Sequence, residues 1–289
     1  MTDGGPGAQD GYERRGHERR GHEGRGHGWR IAGFVALGVI LVGGSAGYFV
    51  WDRFFRNVAK PVDVAAVEKR FSGGAPGGAA RPGDPAPGVY LYRTMGSESV
   101  SALGGATNPY PKTTTLTVTD TPCGVDTRWD VLEGRYDGAN RCRRQDGTWV
   151  LTGTTTSDRF FNQTVADTYT CPDLVDLPAA PEVGDTWKGT CTDTPAGGAP
   201  NTTTYTYRVI GPATMRVAGK SVDTVRLRIT SKQGGQRSGG GIEHRWVLPG
   251  TDLIVRSLGN ETDQSPSPVG SVTYKQRYDV RLQSLEPRT

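Results

Sequence analysis

The chain carries four histidines, and only His244 lies beyond the first 27 residues. A histidine held between a serine and a carboxylate can activate a hydroxyl nucleophile. No motif among the many Ser and Asp residues selects such partners. Alternation along IEHRWV instead places His244 on the same strand face as Trp246, so a structural or surface histidine accounts for it. Asp126, Arg128 and Asp130 also alternate, in DTRWD. Two carboxylates on one face could serve as acid and base on a glycoside. A charged outer face with cross-strand pairing explains the triplet equally well. Ala218-Gly219-Lys220-Ser221 has the ending of a phosphate loop, but Thr214 stands where that loop needs its first glycine. The surroundings read strand-turn-strand, with no helix to follow, so the tetrapeptide reads as a turn. Gly43-Gly44-Ser45-Ala46-Gly47 matches G-x-S-x-G in letters only, because it lies in an uncharged run that cannot form a strand-to-helix elbow. No residue is assigned a catalytic role, no enzyme activity is expected and no cofactor is implied.

Cysteine and tryptophan carry the remaining chemistry. Cys123, Cys142, Cys171 and Cys191 are separated by 18, 28 and 19 residues. These spacings contain no C-x-x-C knuckle, so no metal site is expected. Four cysteines admit three pairings. Neighbour pairing, 123 with 142 and 171 with 191, is preferred; closing a loop of about twenty residues stabilises by ~3 kcal/mol on the chain-entropy account. Trp129, Trp149, Trp187 and Trp246 are the candidate ligand-binding residues: they could line a groove for lipid or glycan, or fill the core of a sheet.

The elements that must position these residues fall into four stretches. Residues 1–30 contain the repeat ERRGH-ERRGH-EGRGH, which cannot form a core and is expected to be a disordered cytoplasmic tail. Residues 31–51 carry no charge. At ~1.5 Å per residue they would span a bilayer's hydrocarbon core as a helix. Trp29 and Trp51 at its ends, with Arg14, Arg15, Arg19 and Arg20 before it, are the expected membrane contacts. Residues 52–88 read as a juxtamembrane segment, with a short helix after Pro61, followed by a linker in which ten of the seventeen residues 72–88 are Gly or Pro. All four cysteines follow the apolar run, which fits disulfides in an oxidising compartment. The chain therefore reads as single-pass, with its N-terminus cytoplasmic and residues 89–289 forming an extracytoplasmic domain of the cell envelope. Its expected partners are the membrane and a lipid or envelope protein; the oligomeric state is left open.

That domain has 22 Lys and Arg against 21 Asp and Glu. So even a balance argues against nucleic acid as a partner. Its pattern is strand and turn. From Val272, one face reads Val272, Tyr274, Gln276, Tyr278, Val280, Leu282, a period of two with one face buried. Val225, Leu227 and Ile229 alternate likewise, as do Tyr205, Tyr207 and Val209. Further strands are expected over residues 89–95, 113–119, 126–133, 147–156, 185–193, 213–218, 242–248 and 252–259. Strands joined by short turns imply an antiparallel meander. The fold class is mainly β: a curved meander or half-barrel of about ten strands, preceded by one transmembrane helix and the disordered tail.

Gly184–Trp187 (GDTW), Arg208–Gly211 (RVIG), Met215–Ile229, His244–Arg256 (HRWVLPGTDLIVR) and the final long strand follow in an order that resembles bacterial extracytoplasmic domains of uncharacterised function. These in turn are similar to the half-barrels of lipoprotein carriers and mycobacterial lipid-binding lipoproteins. The resemblance covers about one hundred residues of the chain and implies an apolar groove. The function expected is non-enzymatic binding of an apolar or amphiphilic ligand or an envelope partner. An interaction or scaffolding module is the alternative, and a cell-wall or glycan hydrolase the second.

Overall fold

The computed structural model describes residues 59–74, 81–161, 163–193, 200–267 and 270–289. Its only α-helix among these, α1 (Val64–Gly74), begins at Asp63, whose Oδ1 accepts the amide hydrogens of Ala65 (3.0 Å) and Ala66 (3.2 Å) as an N-cap. Val64, Val67, Glu68 and Phe71 recur at helical spacing and form its sheltered side. The helix lies against the strands Gly88–Val100 and Thr113–Asp120 and forms ion pairs Arg70–Asp130 (3.1 Å) and Glu68–Arg288 (2.9 Å).

Thirteen strands follow among the described residues: β1 (Gly88–Val100), β2 (Ala106–Pro109), β3 (Thr113–Asp120), β4 (Gly124–Leu132), β5 (Arg135–Arg143), β6 (Trp149–Phe160), β7 (Gln163–Leu177), β8 (Thr186–Asp193), β9 (Asn201–Val217), β10 (Lys220–Gly234), β11 (Ser238–Val247), β12 (Ile254–Ser267) and β13 (Gly270–Leu282). From β3 to β13 neighbours in sequence pair antiparallel, β1 pairs antiparallel with both β2 and β3, and β13 returns to pair with β1 from Tyr92↔Leu282 to Val100↔Tyr274. Twelve strands thus close a barrel. The short β2 pairs with the last residues of β1, Ser97–Val100, beyond the stretch that β3 occupies.

Closure corrects the expected half-barrel of about ten strands, and with it the likeness to lipoprotein-carrier half-barrels. An open sheet leaves two rows of backbone donors and acceptors exposed, and pairing β13 with β1 satisfies both. β2 escapes the sequence reading because its four uncharged residues, ATNP, are too few to show an alternation, and β5 and β7 because their inward positions carry charge. In β5 these are Arg135, Asp137 and Arg141, so no apolar alternation marks the strand. Two expected strands, 205–209 and 213–218, are one: β9 runs through Gly211, opposite a register shift between Arg226 and Leu227 of β10.

The single-pass anchor, the membrane as partner and the placement across a cell membrane with a cytoplasmic N-terminus are corrected as well. No helix among the described residues is long and apolar enough to cross a membrane. The eleven residues of α1 extend only ~16 Å, about half a hydrocarbon core. The run 31–51 itself, with Arg14, Arg15, Arg19, Arg20, Trp29 and Trp51, lies outside the described residues.

Both disulfides join neighbouring strands. Cys123–Cys142 ties the start of β4 to the end of β5, and Cys171–Cys191 ties β7 to β8. The apolar core fills the end of the barrel where β1 starts and β13 finishes. Trp149, Tyr90, Leu174, Val209, Leu227, Val247 and Leu282 are buried there.

Candidate functional site: the barrel interior

Alternation decides which side chains enter the barrel. On β13 the inward set is Tyr274, Gln276, Tyr278, Val280 and Leu282, as the sequence pattern requires. On other strands the same geometry turns charged residues inward: Arg135, Asp137 and Arg141 on β5, Asp167 on β7, Glu243 and Arg245 on β11, Glu261 and Asp263 on β12. The interior therefore changes character along its length.

Next to the apolar end lies a buried ion-pair network. Arg141 Nε donates to Asp176 Oδ2 (2.7 Å), lies 3.0 Å from Asp252 Oδ2, and its Nη1 donates to Thr127 Oγ1 (2.8 Å). Arg245 donates to both oxygens of Glu243 (3.0 Å each) and to Asp176 Oδ1 (3.0 Å). Tyr207 Oη donates to Asp176 and Ser257 Oγ to Glu243. Two guanidinium groups thus meet three carboxylates. Burial works to raise the Asp176 carboxyl, but Arg245 and Arg141 outweigh it and hold it well below the ordinary carboxylate range. Asp252 goes the other way: burial first, then the charge of Asp176, push it up to about 7.

Further along the barrel a second network is centred on Arg135, whose side chain is 3% exposed against 0% for Glu98. Arg135 Nε donates to Glu98 Oε2 (3.0 Å) and lies 2.8 Å from Asp158 Oδ1; Nη1 donates to Asp137 (2.7 Å). Asn108, Tyr110 and Tyr274 also donate to the Glu98 carboxylate. On the facing strands Glu261 is pushed up to about 8 and Asp263 to about 6, in each case chiefly by burial. Arg237 pairs with Asp167 (2.7 Å) and donates to Tyr169 Oη (3.1 Å).

Between these groups the barrel encloses a cavity of about 1010 Å³, the upper end of the range that takes a drug-sized ligand. Its apolar wall includes Leu116, Val118, Trp129, Ile229, Tyr278 and Val280. Trp129 Nε1 donates to Thr114 Oγ1 (2.9 Å), and its ring meets those of Tyr278 (5.4 Å) and Tyr110 (6.2 Å) edge-on. Tyr278 in turn covers Gly259 of β12, where a Cβ would fall 2.6 Å from its ring.

The four candidate tryptophans are thereby separated. Trp129 lines the cavity. Trp149 is completely buried in the apolar end. Trp187 stacks on Tyr207 at 5.2 Å and donates to the Val175 carbonyl. Trp246 faces outward, buried between Arg226 (5.0 Å) and Arg256 (4.8 Å). His244 lies on that same outer face, 6.4 Å from Trp246, with Nδ1 3.2 Å from Arg226 Nη2. Burial and the neighbouring arginines lower its pKa. Asp130 is also on the outside, covered by Arg70 of α1 and paired with Arg128 (2.9 Å). His244 and Asp130 are not brought together. No group of three or more His, Cys, Asp or Glu among the described residues is arranged to hold a metal ion.

Sequence reasoning missed the inward charges altogether. Their signal is parity: Glu243 and Arg245 share the phase of Val247, and Arg141 the phase of Ala139.

Fold and site together define a closed antiparallel β-barrel with a cavity that is apolar on part of its wall and ionised on the rest. No family model matches the chain, and no curated protein matches it. Among solved structures it is similar to the hypothetical lipoprotein YmcC of Escherichia coli K12, at 10% identity and a TM-score of 0.30 over 75% of this chain and 97% of that one. A likeness at that score carries no argument about function.

Proposed function

We propose that this barrel is a non-enzymatic binding domain that holds an amphiphilic small molecule in its interior. The observation that carries the reading is the cavity of about 1010 Å³ inside the closed barrel. Apolar ligands fill apolar walls, and a wall that also presents fixed ionised groups selects a molecule with a polar head. The Arg141–Asp176–Arg245 network gives part of that wall a fixed, ionised surface, because each arginine is committed to carboxylates on neighbouring strands.

The test is native mass spectrometry on the full chain, purified without detergent, followed by titration of Trp fluorescence with decan-1-ol, decanoate and decylammonium. The expected result is either a retained small molecule released on denaturation, or a bare mass with saturable binding of at least one amphiphile. A bare mass together with no binding of any of the three would sink the reading.

A further inference from the structure

We propose that the cavity takes an amphiphile with a cationic, hydrogen-bond-donating head, an alkylammonium group seated against Asp252. The inference rests on the binding function above and names its ligand class.

Two observations carry it. The first is charge. Among the described residues lining the cavity, eight carboxylates face four guanidinium groups, with no lysine or histidine. Every one of the four arginines is already paired: Arg135 with Glu98 and Asp137, Arg141 with Asp176, Arg237 with Asp167 and Arg245 with Glu243. An anionic head would meet a net negative wall with its positive groups engaged; a cationic head would meet carboxylates in excess.

The second is an oxygen without a hydrogen-bond partner on Asp252; Asp158 and Asp263 of the lining each have one too, but Asp252 alone of the three is buried rather than half-buried. The Asp252 side chain is 3% exposed and lines the cavity. Its Oδ2 faces Arg141 Nε at 3.0 Å, while Oδ1 has no hydrogen-bond partner among the described residues. Buried carboxylate oxygens without a donor are costly, and a donor supplied by a ligand removes that cost. The groups facing Asp252 are Arg141 from β5, Asp176 from β7, and Glu243 and Arg245 from β11. With Asp252 they make three negative charges against two positive. One ammonium group balances the set and supplies the missing donor. Leu253 and Ile254 beside it, and Val125 and Leu151 flanking Arg141 in the sheet, give the adjoining wall an apolar surface for the alkyl chain.

The experiment uses the full chain with its disulfides intact. Decylammonium, decan-1-ol and decanoate are titrated calorimetrically at pH 8 and pH 6, against wild type and Asp252→Asn. Asparagine suits the site because Asp252 has φ 56°, a left-handed value that Asn tolerates. At pH 8 decylammonium is expected to bind roughly tenfold tighter than either other probe, the worth of one charge-assisted hydrogen bond. Protonation of Asp252, raised to about 7 by burial and Asp176, should weaken decylammonium by about tenfold between pH 8 and pH 6 and leave decan-1-ol unchanged. Asp252→Asn should abolish both effects.

Equal binding of amine and alcohol, a preference for decanoate, or an amine preference that survives in Asp252→Asn would each overturn the inference and leave the barrel's binding role standing. Failure of all three probes removes the binding role itself. The three probes are compared at pH 8 on wild type, so the preference for a cationic head is decided even where the variant fails to fold; the variant separates Asp252 from Glu261, which lines the same cavity and protonates in the same interval.

Discussion

Arg135 is the residue on which one whole level of the barrel depends. It is buried with Glu98, Asp137 and Asp158 around it. Removing a buried cation leaves its partners as uncompensated charges, at a cost of about 3–5 kcal/mol. Arg135→Met should therefore lower stability by about that amount in urea denaturation. Adding Glu98→Gln should recover part of the loss, because the most deeply buried of the orphaned carboxylates is then neutral. A wild-type denaturation midpoint for Arg135→Met would show that the network is not a structural support. None of this was visible residue by residue. Arg135 stands in EGRYDG, a composition that reads as turn, and only its parity with Asp137 and Arg141 marks it as inward.

At the scale of elements, the barrel has one weak seam. β7 and β8 share a single ladder pair, Thr170↔Thr192, with Cys171–Cys191 beside it. β4 and β5, which Cys123–Cys142 also joins, are paired from Gly124↔Cys142 to Leu132↔Arg135. The two bridges close loops of similar length, and chain entropy assigns each ~3 kcal/mol. The ladder around them differs, so their loss should not be equal. Cys171→Ser with Cys191→Ser is expected to accelerate amide hydrogen exchange in β7 and β8 far more than Cys123→Ser with Cys142→Ser does in β4 and β5. Equal protection in the two variants would mean the seam is held by packing alone. A second element-scale prediction concerns β12 and β13. Gly259→Ala would drive a methyl group into the Tyr278 ring. Such overpacking costs about 1–3 kcal/mol and should shift the denaturation midpoint, while Gly219→Ala, in an open turn, gives the comparison for backbone strain alone.

For the whole molecule, the buried carboxylates set the pH dependence of stability. Burial raises Asp158 to about 6, Asp252 to about 7, Asp263 to about 6 and Glu261 to about 8. All four have higher pKa values folded than unfolded, so between pH 4 and 8 the native state binds more protons. The stability they contribute is present in full below the unfolded values and is lost as pH rises through the folded ones. Asp176, held low, contributes above the unfolded value and loses its contribution only as pH falls through its depressed folded value. Thermal unfolding should thus occur at a higher temperature at pH 5.5 than at pH 8. The reverse order would mean that the interior carboxylates are ionised and satisfied throughout.

What could be read along the chain was local. The strict alternation from Val272 to Leu282 and the turn at Ala218-Gly219 come from steric and solvation rules that act within a few residues. The preferred cysteine pairing rested on nearness in sequence. The structure carries all three. Closure was a different matter. Whether β13 meets β1 depends on twist and stagger summed over twelve strands, and no single strand records that sum. The interior was undecidable for a related reason. An inward charge and an outward charge look alike in sequence; they are told apart only when a partner arrives from another strand. Asp176 of β7 meets Arg141 of β5 and Arg245 of β11, and only the tertiary structure brings those three strands around one point.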